Sequence, residues 1–195
     1  MSGQSPELTP SGGKLYTLRE VTDTVSSPRL VASSIMSKEI AAGANGIVPD
    51  VKVGHGAFFE TEADAFNLAS SMVAIGHEVG CKARAVLSDM TQPLGSAVDN
   101  GLELKEALGT MSGQGPADFR QHCLAIASKM LLLSGGIQDE PKAVAILEEH
   151  LDSGKALVKS PEWISAQGGD TRYVDDAQRL PAASFIQEVL AHRSG

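Results

Sequence analysis

Four side chains near the start of the sequence could together bind a flat ligand that carries carbonyl oxygens or a negative charge. Ser34 and Lys38 are four residues apart in a predicted helix, so they lie on one face of it. Leu30 continues the same row one turn earlier, which indicates that this face points into the domain. Arg19 precedes the helix and could reach the same place, with Tyr16 beside it. A planar guanidinium, an ammonium and a hydroxyl suit such a ligand.

A purely structural interpretation of the same residues stays open. In it, Lys38 extends its ammonium into solvent and Ser34 hydrogen-bonds within its own helix. On spacing alone this second interpretation is favoured.

The histidines offer another candidate for chemistry, in the Gly54-His55-Gly56 motif. The motif follows a predicted strand, where an imidazole with an ordinary pKa near 6.5 could act as an acid or a base. A Gly-x-Gly sequence also fits a simple turn, so it is weak evidence for a site by itself. The other four histidines are predicted to be surface or capping residues: His77, His122, His150 and His192.

The elements that must position these residues alternate between helices and strands. Pro28 is typical of a first helical turn, and the helix that it opens is predicted to end near Ala42. Runs rich in Ile and Val predict strands over 46–53 and 82–87, and apolar residues at helical spacing predict a helix over 61–79.

The remaining segments are less regular in pattern. Further helices are predicted over 99–108, 116–134 and 139–151, and the chain after Gly154 is predicted to be irregular. Two segments are ambiguous: Leu15 to Val21 could form a strand or a turn, and Ser184 to Leu190 a strand or a helix.

This order of elements is typical of an α/β fold, a mostly parallel sheet flanked by helices on both faces. Ligands of such sheets bind beyond the carboxyl ends of the strands. Residues 54–58 and 88–95 are therefore expected at the functional rim.

The composition excludes several classes of function. The 195 residues include 16 Lys or Arg and 24 Asp or Glu, and the net charge of −8 argues against a general nucleic-acid-binding surface. Only 4% are aromatic, so base-stacking platforms are not expected. No apolar run approaches the roughly 18 residues of a membrane span. Cys81 and Cys123 have no disulfide or zinc spacing, which predicts free thiols and a cytoplasmic protein.

Motifs along the chain resemble those of thymidine and pyrimidine-nucleoside phosphorylases. They are Lys14-Leu-Tyr-Thr-Leu-Arg19, Ala32-Ser-Ser-Ile-Met-Ser-Lys38, Asp50-Val-Lys-Val-Gly-His-Gly-Ala-Phe58, Ser88-Asp-Met-Thr-Gln-Pro-Leu-Gly95, Gly101-Leu-Glu-Leu-Lys-Glu-Ala107 and Gln167-Gly-Gly-Asp170. The resemblance covers nearly the whole chain after Lys14. It implies phosphorolysis of thymidine or uridine to the free base and a sugar 1-phosphate.

The resemblance also assigns roles to residues. It implies that Tyr16, Arg19, Ser34 and Lys38 bind the pyrimidine, and that Arg19 and Lys38 are catalytic because negative charge develops on the pyrimidine oxygens. It implies phosphate as the co-substrate and no required cofactor.

A potassium site is also implied by the resemblance, from the backbone carbonyls of Leu94 and Ala97 and the carboxylate of Glu106. Oxygen ligands of this kind suit a hard cation. In the alternative interpretation, Glu106 is a solvated helix residue paired with Lys105 or another nearby charge.

The sequence departs from the family in lacking its N-terminal helical domain, its Lys-His-Ser-Thr-Gly-Gly phosphate loop and its C-terminal domain. The family's active-site histidine belongs to that loop, so its role does not pass to His55. We interpret residues 1–13 as a disordered lead or tag, 14–180 as the central α/β domain, and 181–195 as a tail or the start of a missing C-terminal domain.

The expected partners follow from this division. They are a pyrimidine nucleoside or base, a second polypeptide that supplies the phosphate-binding domain, and further copies of the chain. Nucleic acid and membrane are not expected. Two alternatives to an enzyme stay open: a non-catalytic pyrimidine-binding or regulatory protein, and a segment without activity.

Overall fold

The computed structural model describes residues 8–193, and its first two helices carry the predicted ligand-binding side chains. Helix α1 spans Pro10–Val21 and α2 spans Pro28–Ala41. The strand or turn predicted over 15–21 is wrong, and helical structure begins four residues before Lys14. Residues 15–21 show no clear hydrophobic periodicity, so their helical structure could not be read from the sequence pattern. The buried side chain of Arg19 connects α1 to the segment that follows it, through a hydrogen bond to the Thr24 carbonyl. Residues 1–7 of the predicted lead lie outside the described part.

Two pairs of short parallel strands form two separate two-stranded sheets. Strands β1 (Gly46–Ile47) and β3 (Lys82–Ala83) pair in parallel, as do β2 (Asp50–Val53) and β4 (Val86–Asp89). Each predicted strand is thus present but interrupted once. In the first of them Pro49 stands at the break, where it lacks the N–H that a continuous ladder would use.

Helices cover both faces of β2, as predicted for this fold class. Val51 belongs to the apolar core with Met36 of α2 and Met72 of α3, the helix Glu62–Glu78. Side chains alternate along a strand, so those of Asp50 and Lys52 point to the opposite face. There they meet His122 of helix α5 (Ala117–Leu133).

Helices make up most of the chain between residues 100 and 179. The further elements are α4 (Asn100–Met111), α5 (Ala117–Leu133), α6 (Glu140–Asp152), α7 (Lys155–Ala166), α8 (Arg172–Asp175) and a 3-10 turn (Ala177–Arg179). The prediction of irregular chain after Gly154 is wrong over residues 155–166, because this glycine is left-handed, with φ 74°, and directly precedes a new helix, whereas it is confirmed over residues 180–193. Residues 184–190 form neither a strand nor a helix. Within residues 8–193, no helix has the length and apolar character needed to cross a membrane.

Candidate functional site

Arg19 is buried at the C-terminal end of α1 and organises the connection to α2. Its Nε and one terminal nitrogen donate to the carbonyls of Thr24 and Leu30, both at 3.3 Å, and its other terminal nitrogen donates to the Val25 carbonyl. A guanidinium has five N–H groups, so these bonds leave one on each terminal nitrogen. The same side chain can therefore hold the turn and still offer two donors to a ligand.

Tyr16 lies one helical turn before Arg19 and stacks against it. The guanidinium carbon of Arg19 is 5.5 Å from the centre of the Tyr16 ring, within the range of a cation–π contact. This contact adds to the three backbone hydrogen bonds that hold the guanidinium in place.

Ser34 and Lys38 contact each other on α2, as their spacing predicts. The ammonium of Lys38 donates to the Ser34 hydroxyl at 3.3 Å, and both residues are half-buried. Lys38 therefore has its charged end held beside a hydroxyl that faces α1.

The facing sides of α1 and α2 enclose a cavity of about 210 Å³. Tyr16, Arg19 and Ser34 line it, and Lys38 reaches it only through its contact with Ser34. Pockets for drug-sized ligands are typically about 300–1,000 Å³, so this space suits a single small ring. The structure thus places Tyr16, Arg19 and Ser34 around one cavity between two helices, with Lys38 beside it.

The two loops predicted at the functional rim do contact each other. The amide of Gly56 donates to the Met90 carbonyl at 2.9 Å. Gly54 has φ 124°, and a Cβ added there would lie 2.8 Å from the Thr91 amide nitrogen, so the turn requires glycine. His55 is exposed on this turn and lines a second cavity, of about 490 Å³.

Leu94, Ala97 and Glu106 line a third cavity, of about 520 Å³. One carboxylate oxygen of Glu106 accepts from the backbone amides of Ser96 and Ala97, at 2.9 and 3.1 Å. Glu106 is half-buried, and these bonds come from backbone amides rather than from Lys105. Its other oxygen lies against Gly95, where an added Cβ would come within 2.2 Å. The donor set, one carboxylate and two carbonyls, fits a potassium ion chemically.

A network of charged side chains was missed by the sequence analysis. The carboxylate of Asp50 contacts the Lys52 ammonium at 2.8 Å and His122 Nε2 at 2.7 Å, and it accepts from the Ser88 hydroxyl at 2.5 Å. The prediction that His122 is a surface or capping residue is therefore wrong. Asp50 and His122 are 72 residues apart, and only the packing of α5 on β2 brings them together.

Electrostatics keep Asp50 ionised in this network. Burial opposes the charged form, but the hydrogen bonds from Lys52 and Ser88, with the positive charge of Lys52 and then of His122, outweigh it and hold the pKa of Asp50 below its ordinary value. The neighbouring thiol of Cys123 behaves in the opposite way. Burial raises its pKa more than the charge of Lys52 lowers it. Cys123 is therefore a poor nucleophile.

We expect Asp50→Asn to lower the free energy of unfolding by about 1.5–3 kcal/mol near neutral pH, because the amide loses the charge that Lys52 contacts. The pKa of Asp50 is lower in the folded state, so its stabilisation is complete above the unfolded value and is lost as the pH falls through the folded one. The difference from the parent should shrink below about pH 4.

Urea unfolding at neutral pH and at about pH 3 measures this difference. Asp139→Asn is the matched control, because Asp139 is exposed and its side chain makes no capping hydrogen bond. A loss in Asp50→Asn that is the same at both pH values would contradict the expectation.

Comparison with known proteins decides the family. Residues 3–157 match the family model described as "Glycosyl transferase family, a/b domain". The chain belongs to this family. The match includes α1, α2, the strands β1 to β4 and helix α4, which carries Glu106, so every residue of the candidate site lies in the family's α/β domain.

The relatives are nucleoside phosphorylases. This member of the glycosyl transferase family is 51% identical over 193 residues to a pyrimidine-nucleoside phosphorylase of Bacillus subtilis (strain 168), and 50% identical to those of Geobacillus stearothermophilus and Staphylococcus aureus (strain USA300). Each alignment covers 99% of this chain and 45% of the relative. The resemblance to pyrimidine-nucleoside phosphorylases is confirmed, and the chain spans less than half of their length.

Proposed function

We propose that this chain forms the pyrimidine-binding part of a pyrimidine-nucleoside phosphorylase, which converts thymidine or uridine and phosphate to the free base and a sugar 1-phosphate. The observation that carries the proposal is the cavity between α1 and α2, where Arg19 and Ser34 meet and the Lys38 ammonium lies 3.3 Å from the Ser34 hydroxyl. The names of the relatives supply the reaction class.

The chemistry of phosphorolysis explains why these side chain types are suitable. Cleavage of the bond between the sugar and the ring nitrogen leaves negative charge on the pyrimidine and its carbonyl oxygens. Arg19 and Lys38 carry fixed positive charge beside the cavity, and Ser34 adds a hydroxyl. Such groups stabilise the transition state more than the neutral substrate, which lowers the barrier.

A titration with nucleosides followed by calorimetry tests this proposal. Uridine or thymidine is expected to bind, and adenosine, whose base has no carbonyl oxygen for Arg19 or Lys38 to contact, is not. Arg19→Gln and Ser34→Ala should each weaken the binding of the pyrimidine nucleoside. Equal binding of adenosine, or unchanged binding in both variants, would contradict the proposal. Binding without any phosphorolysis when the chain is supplemented with phosphate and with the flanking parts of the B. subtilis relative, as separate polypeptides, would favour the alternative, a non-catalytic pyrimidine-binding or regulatory protein.

The proposal extends to the ion and the cellular location. A potassium ion held by Leu94, Ala97 and Glu106 is supported by their shared cavity and by their oxygen donors. Potassium chloride should then raise the melting temperature more than sodium chloride does, and Glu106→Gln should abolish the difference.

A cytoplasmic location is supported by the two free thiols, Cys81 and Cys123.

A further inference from the structure

The loop between β4 and α4 is held by carboxylates through three consecutive backbone amides. The amide of Gly95 donates to the Asp118 carboxylate at 3.0 Å. The next two amides, those of Ser96 and Ala97, donate to one oxygen of Glu106 at 2.9 and 3.1 Å. Hydrogen bonds to an ionised acceptor are about twice as strong as those between neutral groups. The three amides are therefore fixed from two helices, α4 and α5.

The bond to Asp118 also fixes the carbonyl of Leu94. This carbonyl and the Gly95 amide belong to one peptide group, which is planar, and no peptide bond in the described part of the chain is cis. In a planar trans peptide group the N–H and the C=O point in opposite directions. Because the N–H points at Asp118, the Leu94 carbonyl points away from it. Asp118 thus sets the direction of an atom that it does not touch.

The two carbonyls that could bind a cation here are free of other partners. Within residues 8–193, no backbone amide donates to the carbonyl of Leu94 or of Ala97. Both residues line the third cavity together with Glu106. Of the three peptide groups between Leu94 and Ala97, the bonds to Glu106 orient the second and the third. The first, which carries the Leu94 carbonyl, is the one that Asp118 orients.

The packing of α5 in turn holds Asp118 in place. Asp118 lies in the first turn of α5, where the helix dipole favours a negative charge. His122 lies one turn later on the same face, and its Nε2 is 2.7 Å from the Asp50 carboxylate of β2. The bond from the Gly95 amide holds the pKa of Asp118 below its ordinary value. A charged carboxylate on an anchored helix is therefore the fixed acceptor for this loop.

We propose that Asp118 is a positioning residue for the potassium ion, which it serves by holding the Leu94 carbonyl in the orientation that a cation in the third cavity requires. The inference rests on the proposed function, of which the potassium site is a part. Asp118 is not itself a ligand, because its carboxylate lies on the amide side of the loop. Residues that orient metal ligands typically contribute about 10- to 100-fold to the affinity for the metal.

Melting temperatures in KCl and in NaCl at the same ionic strength test this role on the whole chain. The rise specific to potassium should reach half of its maximum at a KCl concentration at least about tenfold higher in Asp118→Ala than in the parent protein. Asp118→Asn keeps an oxygen that can accept the Gly95 amide, so it should bind potassium nearly as the parent does. Glu62→Ala is the control, because it removes an exposed carboxylate from the first turn of α3.

Hydrogen exchange at the Gly95 amide gives a second measurement, which needs no substitution and so does not depend on the folding of Asp118→Ala. Binding of potassium and orientation of the Leu94 peptide group are linked, and such linkage acts in both directions. Potassium should therefore slow exchange of the Gly95 amide by at least about fivefold relative to sodium.

Three outcomes would overturn the role of Asp118. They are the same half-maximal KCl concentration in Asp118→Ala as in the parent, equal losses in Asp118→Ala and Asp118→Asn, which would assign the effect to charge instead of position, and exchange at Gly95 that potassium does not slow. A potassium-specific rise that Glu106→Gln abolishes and Asp118→Ala retains would contradict only this inference. Absence of that rise in the parent protein would contradict the proposed potassium site as well.

Discussion

Replacement of Lys38 by Met is expected to lower the rate of pyrimidine release by about 10²- to 10³-fold, the usual cost of removing one preorganised donor to a developing anion. The side chains have similar lengths, so the loss is mainly that of the ammonium, which lies 3.3 Å from the Ser34 hydroxyl. The rate is that of free uracil formed from uridine and phosphate, by the chain supplemented with the flanking parts of the B. subtilis relative.

Two further variants serve as controls for this measurement. Lys38→Arg keeps the charge and should recover part of the rate, although a guanidinium places its donors differently. Lys142→Met removes an exposed ammonium from α6 and should leave the rate unchanged. If Lys38→Met reacted as fast as the parent protein, Lys38 would have no catalytic role.

Replacement of Met36 by Ala is expected to lower the free energy of unfolding by about 2–5 kcal/mol, the range for deleting a large apolar side chain from a core. Met36 is 0% exposed and lies on α2 between Ser34 and Lys38. It packs toward α3 at Gly76, where an added Cβ would lie 3.4 Å from the Met36 terminal methyl. The same side chain thus stabilises the fold and holds α2, the helix that carries Ser34 and Lys38.

Urea unfolding of Met36→Ala measures the effect, and Ile35→Ala is the control. Ile35 is the preceding residue on the same helix but is 38% exposed, so its truncation should cost clearly less. Nucleoside affinity should also fall in Met36→Ala, because α2 loses its anchor. Equal losses of stability in the two variants would mean that α2 is not held by Met36.

Local patterns predicted the helices and the parallel strands well where a single signal dominated. Pro28 at the start of α2 and the apolar spacing through Leu68 and Met72 gave helices that the structure contains. The local pattern gave a wrong prediction at α1. Glycines such as Gly12 and Gly13 are typical of irregular chain, but the helix continues through both of them. The pattern failed again at Gly154, where the same residue type that ends a helix also precedes the next one.

The candidate site was predictable to the extent that it is local in sequence. Ser34 and Lys38 are one helical turn apart, and their contact follows from that spacing. The convergence of Arg19 with them needed the α1–α2 turn, and its association with a pyrimidine came from resemblance. The network of Asp50, Lys52 and His122 depends on the packing of a distant helix on a strand. Helical and strand periodicities relate only residues within one element, so they could not predict a contact between residues this far apart in sequence.

The protection of both thiols makes the molecule convenient for site-specific fluorescence labelling. Cys81 is buried and its thiol donates to the Ala44 carbonyl, whereas Cys123 is half-buried with a raised pKa. Maleimide reagents react with the thiolate, so both native residues should react slowly at neutral pH. A cysteine introduced at exposed Phe58, on the wall of the second cavity, would then carry the dye without prior removal of the native ones. The emission of this dye would change when another molecule binds at the wall of the second cavity, so binding there could be followed in real time.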